Sequence, residues 1–254
     1  MSNIKKIGII GQGFVGSAVR EGMKASFDIE TYDKYKGFPD STKNTLADLV
    51  RDVKILFVCL PTPMRKNGSC DTRIVEDTVY ETDKLAIIDN TCKTIVVKST
   101  IPPGTTARMN DKVKNCQVIF NPEFLTEANS FDDFKNQTRI IVGGPRPGST
   151  IVKNIFRKSF PNTPIIKTGS NTAEMVKYFT NCFLSTKVSF ANEMSQVCDK
   201  LEVDYDKVVE YTLLDKRLGT SHWSVPGPDG NLGFGGHCFP KDLNALIHVF
   251  DEFG

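Results

Sequence analysis

The sequence lacks three features: long apolar runs, a surplus of one charge, and cysteines at short, regular spacings. No stretch approaches the roughly 18 apolar residues that a membrane-spanning helix needs. The 32 Lys and Arg residues nearly balance the 30 Asp and Glu residues, so the net charge of +2 predicts no general affinity for nucleic acid or for an anionic membrane. The seven cysteines include no Cys-x-x-Cys pair, which argues against a disulfide scaffold and a structural zinc site.

The rest of the composition is that of an ordinary globular protein, with 254 residues of which 39% are hydrophobic. A chain of this length lies near the size at which one hydrophobic core divides into two. Glycines from Gly8 onward interrupt the apolar stretch near the N-terminus, which argues against an export signal. Because the cysteines show no disulfide pattern either, we expect a cytoplasmic protein without a metal site.

A glycine-rich motif follows the first apolar segment. Residues 7–10 predict a buried strand, and the sequence Gly-Gln-Gly-Phe-Val-Gly at 11–16 predicts a tight turn that opens a helix. In such a motif Gly11 allows the turn, Gly13 lets the backbone approach a pyrophosphate, and Gly16 lets the helix pack closely on its strand. The helix N-terminus would then stabilise the phosphates, so the motif predicts a dinucleotide site.

An acidic residue follows the second predicted strand, at residues 29–32. This residue, Asp33, lies where the ribose diol of a dinucleotide would donate hydrogen bonds, although a solvated aspartate at a strand end has the same sequence pattern. A carboxylate at this position would repel a 2′-phosphate and therefore favours NAD over NADP. The positive charge of the neighbouring Lys34 weakens this preference for NAD over NADP.

Short apolar, β-branched segments alternate with longer amphipathic ones as far as residue 168, which predicts an α/β fold: a Rossmann-type, doubly wound parallel sheet. Further strands are predicted at 55–59, 94–98, 117–120, 140–143 and 164–167. Ligands bind outside the carboxyl ends of such strands, so we expect a site among the loops at 61–63, 99–104 and 121–127. The prolines in these loops could equally do no more than end the strands.

The second part of the chain, predicted as a mainly helical domain at 169–254 after a first domain at 1–168, opens with one long helix. Residues 172–201 contain neither Pro nor Gly, and apolar residues recur there at helical intervals. A helix of this length exceeds the span of a small domain, so we expect it to connect two regions or to pack against its copy in a homodimer. Lys177 and Asn181 share one face of this helix and could belong to a site. Two surface residues without a function would show the same spacing.

A second glycine-rich segment, at 233–242, contains Cys238 and leads into an amphipathic helix. Pro240 suits the first turn of that helix, which places Cys238 at its N-terminal end. Backbone N–H groups and the helix dipole stabilise a thiolate there. A buried, inert cysteine is the usual alternative, but the surrounding glycines and the nearby Lys241 and Asp242 favour a reactive one.

Taken together, these motifs resemble the UDP-glucose 6-dehydrogenase and GDP-mannose dehydrogenase family. The resemblance rests on residues 11–16 with Asp33, the Ser99–Thr100 strand end, the segment 121–125, Lys177 with Asn181, and the segment 233–242. It implies NAD-dependent oxidation of the C6 alcohol of a nucleotide sugar, of the UDP-linked type, to a carboxylate with two NAD per turnover. Family members usually carry a further nucleotide-binding domain after the cysteine motif, for which 254 residues leave no room.

The resemblance also implies roles for matching residues. Cys238 would be the nucleophile that forms a thiohemiacetal and then a thioester, Asn181 would stabilise oxyanions, and Glu123 would assist hydrolysis. Lys177, Asp242 and Thr100 would handle water and protons, and Arg217 would reach the substrate from a neighbouring subunit. The predicted NAD-binding residues are Gly11, Gly13, Phe14, Val15, Gly16, Asp33, Lys34, Leu60, Pro61, Thr62, Ser99, Thr100, Glu127 and Lys241. The predicted substrate-binding residues are Glu123, Phe124, Leu125, Lys177, Asn181, Arg217, Phe234 and Gly235.

Two other functions fit parts of this sequence. A catalytically silent NAD-binding or dimerisation module that needs a partner chain would have no use for the Cys, Lys, Asn, Asp and Glu set. A two-electron dehydrogenase of the hydroxyacid type shares the first-domain architecture but leaves Cys238 and its glycines unexplained.

Overall fold

A computed structural model of the chain describes residues 4–35, 41–91, 93–126 and 129–253. Its strands are β1 (Lys6–Ile10), β2 (Asp28–Tyr32), β3 (Ile55–Val58), β4 (Lys93–Val97), β5 (Cys116–Phe120), β6 (Ile140–Gly143) and β7 (Ile165–Thr168). Its helices are α1 (Phe14–Met23), α2 (Leu46–Asp52), α3 (Arg73–Ile88), α4 (Thr105–Lys112), α5 (Ser130–Lys135), α6 (Gly148–Ser159), α7 (Ser170–Lys200), α8 (Tyr205–Thr212) and α9 (Cys238–Phe253). Every strand predicted from the sequence is present, and the predicted long helix is α7.

The strands form one seven-stranded sheet in the order β2-β1-β3-β4-β5-β6-β7. The chain leaves β1 toward one side, returns, and continues from β3 toward the other side, so the order reverses between β1 and β3. The carboxyl ends of parallel strands at such a reversal form a crevice in which ligands bind. The glycine turn after β1 and the loop after β3 both open at this crevice.

The sheet departs from the all-parallel prediction at one place, where β6 runs antiparallel to β5 through the single pair Phe120 and Gly143. A parallel return needs a crossover helix that travels back along the sheet. The connection between these strands contains only α5, which has 6 residues, so the chain does not return to the starting edge. The pair formed by β6 and β7 is again parallel.

Hydrophobic cores lie on both faces of the sheet because alternate residues of each strand point to opposite sides. On β3, for example, Leu56 and Val58 pack with α2 and α3, whereas Ile55 and Phe57 pack with α1 and α6. All four of these side chains are at most 1% exposed, which explains why the strand reads as a continuous apolar run.

The chain divides into two compact units. The first comprises the described residues up to Pro63 and those from Cys70 to Lys177, and the second comprises Met64–Ser69 and the residues from Tyr178 onward. The boundary therefore falls within α7. The first unit holds the sheet and α1 to α6.

The second unit is helical and consists of the larger part of α7 with α8, α9 and a 3-10 turn at Lys216–Leu218. Helix α8 begins after Asp204, whose carboxylate accepts a hydrogen bond from the backbone N–H of Lys207 and so caps the helix. Among the residues that the structure describes, no helix is both long and apolar enough to cross a membrane.

Candidate functional site

The glycine turn after β1 has the geometry that its sequence predicts. Gly11 has φ +90°, in the left-handed region that favours glycine, and its N–H donates to the Tyr32 carbonyl at 2.9 Å. A Cβ on Gly16 would lie 1.9 Å from the Gly11 carbonyl oxygen, so only glycine lets α1 start this close to the turn. Gly13 precedes the first residue of α1, provides no side-chain cap, and would have no heavy atom within 4 Å of an added Cβ. The N-terminus of α1 is thus open to an anion.

Asp33 lies beside this turn. Its Oδ2 accepts the Gln12 backbone N–H at 2.7 Å, and its Oδ1 accepts the Tyr35 N–H at 2.9 Å. Carboxylate oxygens have further lone pairs for ribose hydroxyls. The Gln12 side-chain oxygen is buried without a hydrogen-bond partner among the described residues. The glycine turn, the N-terminus of α1 and the Asp33 carboxylate together fit an NAD molecule. Lys34, the next residue after Asp33, is exposed.

The loops after β3 and β4 are held together by hydrogen bonds. The Leu60 N–H donates to the Ser99 hydroxyl at 2.9 Å, and the Thr62 hydroxyl donates to the Thr100 carbonyl at 2.9 Å. Pro61 lies between these two links and is exposed. The structure therefore brings the predicted residues of both strand ends to the same edge of the sheet.

A buried carboxylate outside the predicted site residues, that of Glu174, fixes the loop after β4. The Glu174 side chain, on α7, accepts the backbone N–H groups of Gly104 at 2.7 Å and Thr106 at 2.8 Å, at the start of α4. Burial raises the pKa of Glu174, and these hydrogen bonds oppose the rise. Glu174 thus holds the loop that carries Thr100 against the first turns of α7.

Glu123 and Lys177 form a buried ion pair in the first unit. They are 7% and 4% exposed, and Lys177 Nζ donates to Glu123 Oε1 at 2.9 Å and to the Glu123 backbone carbonyl at 2.7 Å. The other carboxylate oxygen accepts the Leu125 N–H at 2.6 Å. Burial alone would raise the pKa of Glu123, but the charge of Lys177, the Leu125 N–H and the charge of Lys98 together hold it below its ordinary value.

Phe124 follows Glu123 and lies close to two cations. Its ring centroid is 4.3 Å from the Arg139 guanidinium carbon and 5.5 Å from Lys177 Nζ, within the range of cation–π attraction. A cavity of about 290 Å³ adjoins this segment and is lined by Lys98, by residues 122–125 and by side chains from the stretch 132–139. The predicted residue Glu127 lies outside the described residues.

In the second unit, Cys238 is the first residue of α9, as the sequence predicted. It is exposed, whereas each other described cysteine is buried or half-buried. Burial raises the pKa of Cys59 to about 12 and that of Cys182 to about 11, where Asp242 adds to the effect. Those two remain thiols near neutral pH, so Cys238 is the described cysteine best placed to act as a nucleophile.

Asp242 lies one helical turn after Cys238 and is 1% exposed. Its Oδ2 accepts a hydrogen bond from Asn181 Nδ2 at 2.6 Å, and its Oδ1 accepts one from Lys241. The structure therefore groups Asn181, Asp242 and Lys241 at the start of α9. Among the described residues, no group of three or more His, Cys, Asp and Glu side chains is arranged to hold a metal ion.

The segment before Cys238 is fixed to α7. The Gly233 N–H donates to Asn192 Oδ1 at 2.8 Å, and Asn192 is buried. The Phe234 ring packs edge-on against Phe239 at 6.5 Å, and a Cβ on Gly235 would lie 3.2 Å from an Asp229 carboxylate oxygen. The hydrogen bond and the ring contact connect the glycine segment to α7 and to the first turn of α9.

Arg217 belongs to a segment that Lys187 and Trp223 hold on α7. Lys187 Nζ donates to the carbonyls of Leu218 and Gly219 at 3.0 and 3.1 Å and lies 4.6 Å from the Trp223 ring centroid. Arg217 is exposed and pairs with Asp215, whose Oδ1 accepts the Arg217 Nε–H at 2.9 Å. Its predicted contact with a substrate of a neighbouring subunit stays a prediction.

The sequence reasoning missed several residues that fix the site: Lys98, Glu174, Asn192 and Arg139. Two of them have a recognisable signal. Lys98 is a charged residue directly after the buried apolar run at 95–97, and Glu174 lies three residues before Lys177 on a helix, hence on the same face. Asn192 and Arg139 have no such signal in the residues next to them in the sequence.

Two family models match the chain. The NAD binding domain of the UDP-glucose/GDP-mannose dehydrogenase family matches residues 40–160, and the central domain of the same family matches residues 171–254. Among curated proteins, the chain is 32% identical to UDP-glucose 6-dehydrogenase TuaD of Bacillus subtilis over 218 residues, which is 83% of this chain and 45% of that protein. It is 34% identical over 206 residues to a UDP-glucose 6-dehydrogenase of Rickettsia bellii, covering 79% of this chain and 46% of that protein. The chain thus spans about half the length of the curated relatives it matches.

Solved structures give the same result. A UDP-glucose dehydrogenase from Pyrobaculum islandicum superposes with a TM-score of 0.89 at 29% identity, over 100% of this chain and 65% of that chain. A GDP-mannose dehydrogenase from Pseudomonas aeruginosa gives 0.76 at 26% identity, over 97% of this chain and 64% of that one. A 3-hydroxyisobutyrate dehydrogenase from Mycobacterium tuberculosis also gives 0.76, over 99% and 88% of the two chains, but at 14% identity this likeness concerns the fold alone.

Proposed function

The chain belongs to the UDP-glucose/GDP-mannose dehydrogenase family, and from this membership we propose that it oxidises the C6 alcohol of a UDP-linked sugar to a carboxylate, with two NAD per turnover. The relatives at 32% and 34% identity that are named UDP-glucose 6-dehydrogenases support a UDP-sugar as the substrate class. The observation that carries the proposal is the environment of Cys238: an exposed cysteine at the start of α9, with the buried Asp242 one turn further on.

Oxidation of an alcohol to an acid requires a hydride to leave the same carbon twice. NAD, when bound, accepts the hydride each time. After the first oxidation the carbon is an aldehyde, and we propose that the Cys238 thiolate adds to it and forms a thiohemiacetal. Loss of the second hydride gives a thioester, and attack by water releases the carboxylate and returns the thiol. The alternative to the thiol is an aldehyde hydrate, which would leave Cys238 without a role.

Each remaining polar side chain has a proposed role. Asn181, a neutral amide that donates to Asp242, would stabilise the oxyanions that form when the aldehyde and the thioester are attacked. Asp242 and Lys177, with Thr100, would accept and return protons and hold water. Glu123, kept as a carboxylate by its buried cations, would assist hydrolysis of the thioester as a base. The segment Glu123–Leu125, with Phe234, Gly235 and Arg217, would bind the sugar nucleotide.

The residues that would hold NAD are those of the glycine turn and the adjoining strand ends. The N-terminus of α1 would bind the pyrophosphate, Asp33 would accept hydrogen bonds from the adenosine ribose, and the loops at 60–62 and 99–100 would line the path to the nicotinamide. The proposed NAD-binding residues also include Lys34, Glu127 and Lys241.

An assay of NADH formation tests the proposal. The full chain is incubated with NAD and, in turn, UDP-glucose, UDP-N-acetylhexosamines and GDP-mannose, and NADH is followed by its absorbance. We expect turnover with a UDP-sugar and about two NADH for each sugar acid, because both oxidations occur at one carbon. If the folded chain binds NAD but forms no NADH with any of these sugars, the silent binding module is the better description. A ratio of one NADH for each product would favour a two-electron dehydrogenase.

We also propose that the chain forms a homodimer through α7. An apolar stripe runs along the part of this helix that lies in the second unit, where Phe179, Phe183, Phe190, Val197 and Leu201 are all exposed. Phe183, Phe190 and Val197 repeat at intervals of seven residues, the spacing that packs one helix on another. A second copy would cover this stripe, since single soluble chains seldom expose so much contiguous apolar surface.

Replacing one residue of the stripe by a charged one tests the dimer. We expect the wild-type chain to sediment as a dimer and Phe183→Glu as a monomer, because a buried unpaired carboxylate disfavours association. Gln196→Glu adds the same charge on the exposed surface of the same helix and should leave the dimer intact. A wild-type chain that sediments as a monomer at tens of micromolar, or a Phe183→Glu chain that stays dimeric, contradicts the proposal.

A further inference from the structure

Lys98, which follows β4, is a buried cation that the proposed reaction does not use. It is 3% exposed, and its Nζ donates to Asn121 Oδ1 at 2.8 Å and lies 3.4 Å from the Asn121 backbone carbonyl. The Nζ is also 5.7 Å from the Phe134 ring centroid. These contacts place the ammonium group beside Asn121, at the carboxyl end of the sheet.

Asn121 connects Lys98 to Glu123. Its backbone N–H donates to the Val97 carbonyl at 2.9 Å, and its Nδ2 donates to the Ile141 carbonyl at 2.7 Å. Pro122, with its fixed φ, is the only residue between Asn121 and Glu123. A side chain that fixes Asn121 therefore also fixes the direction in which the chain enters Glu123.

Lys98 also acts on Glu123 through its charge. Burial, together with the charge of Lys177, lowers the pKa of Lys98 to about 8, and the interactions of Lys98 with Cys59 and Glu123 oppose this shift. The Cys59 thiol is uncharged near neutral pH, since burial raises its pKa to about 12. Near pH 7 the cluster thus consists of two buried ammonium groups and one buried carboxylate. Burying the second ammonium group costs stability, and an apolar side chain of similar volume would avoid that cost.

We propose that Lys98 is a positioning residue for Glu123: it holds Asn121 and the start of the 121–125 segment, and its positive charge adds to that of Lys177 near the Glu123 carboxylate that serves the hydrolysis step. The hydrolytic role of Glu123 belongs to the proposed function, on which this inference rests. The network of Lys98, Asn121 and Glu123 can be tested without any activity.

The test compares two buried lysines, one at the start of β4 and one directly after its end. Lys98→Met removes the proposed contact, and Lys93→Met is the matched control, because Lys93 is 1% exposed and its ammonium group donates to the carbonyls of Val50 and Val53 instead. We expect Lys98→Met to lower kcat at pH 7 about 10-fold, the effect of about 1.4 kcal/mol, with the KM for NAD unchanged. The acidic limb of its pH profile should move to higher pH, since Glu123 then gains a proton more easily. Lys98→Arg, which retains the charge, should restore part of the activity, and Lys93→Met should keep the wild-type pH profile.

Carbon-13 NMR of glutamate carboxyl groups gives a second readout that does not require turnover. The Glu123 signal is identified by its loss in Glu123→Gln, and we expect it to titrate at higher pH in Lys98→Met than in the wild type or in Lys93→Met. Asn121→Ser, which removes the acceptor and leaves Lys98 in place, should shift the titration in the same direction and serves if Lys98→Met does not fold. An unchanged titration in both variants, or an equal shift in Lys93→Met, overturns the proposal. A chain without activity toward any sugar refutes the proposed function and leaves this titration as the test of Lys98.

Discussion

Replacing Cys238 by serine should abolish steady-state NADH formation with the proposed UDP-sugar substrate, by at least about 1,000-fold, the scale seen when a covalent nucleophile is removed. The physical reason is that a serine hydroxyl at the same place is almost fully protonated near pH 7, whereas a thiolate is stabilised by the N-terminus of α9. Without the thiol adduct, the aldehyde carbon has no covalent route to its second hydride loss.

The product ratio separates the two chemical routes. The first hydride transfer needs no thiol, so Cys238→Ser can form at most one NADH for each sugar before the reaction stops. A rapid-mixing experiment that measures NADH by absorbance, and sugar aldehyde and sugar acid by chromatography, detects this directly. If Cys238→Ser still yields about two NADH for each sugar acid, the second oxidation proceeds through the aldehyde hydrate and the thioester route is wrong.

Cys198→Ser is the matched control for this substitution. Cys198 lies near the end of α7, is 9% exposed, and belongs to none of the proposed catalytic or binding groups. Its replacement makes the same chemical change, sulfur to oxygen, in the same unit and should leave the NADH yield for each sugar unchanged. Equal loss of activity in both variants would mean that the effect of Cys238→Ser arises from damaged folding.

The strands and the long helix could be predicted because their signals are local. A strand such as β3, with every side chain buried, must be apolar throughout, and a helix of 31 residues must exclude proline and tolerate little glycine. The start of α9 at Cys238 could likewise be read from Pro240, which fits only the first turn of a helix.

The direction of β6 and the partners of the residues that support the site could not be predicted, because both depend on contacts between residues that are distant in the sequence. The reversal at β6 depends on how far α5 carries the chain back along the sheet, and no residue of β6 itself encodes that distance. Glu174 reaches the start of α4 across 70 positions of sequence, and Asn192 reaches Gly233 across 41. From a single sequence, the residues that carry out the chemistry are therefore easier to predict than the residues that position them.

Breaking the buried pair of Lys177 and Glu123 should cost the first unit about 3–5 kcal/mol of its free energy of unfolding. In Lys177→Met the carboxylate stays buried with its Leu125 N–H bond but without the ammonium group 2.9 Å away. Lys177→Met/Glu123→Gln removes both charges and should recover part of the loss, because the remaining amide can still accept a hydrogen bond. Urea denaturation followed by circular dichroism measures the three midpoints.

The pH dependence of this loss identifies its electrostatic origin. In the wild type the pKa of Glu123 is held below its ordinary value, so its contribution to stability is present above the unfolded-state pKa of about 4.3 and is lost as the pH falls through the lower folded-state value. In Lys177→Met the burial of Glu123 raises its pKa instead, and the protonated side chain then escapes the penalty of an unpaired charge. The difference between wild type and variant should therefore be largest near pH 7 and should shrink as the pH falls toward 4.5.

Lys24→Met, which breaks an exposed pair with Glu21, should leave the midpoint nearly unchanged. A Lys177→Met deficit that is the same at pH 7 and pH 5 would point to lost packing around the lysine side chain rather than to an uncompensated carboxylate.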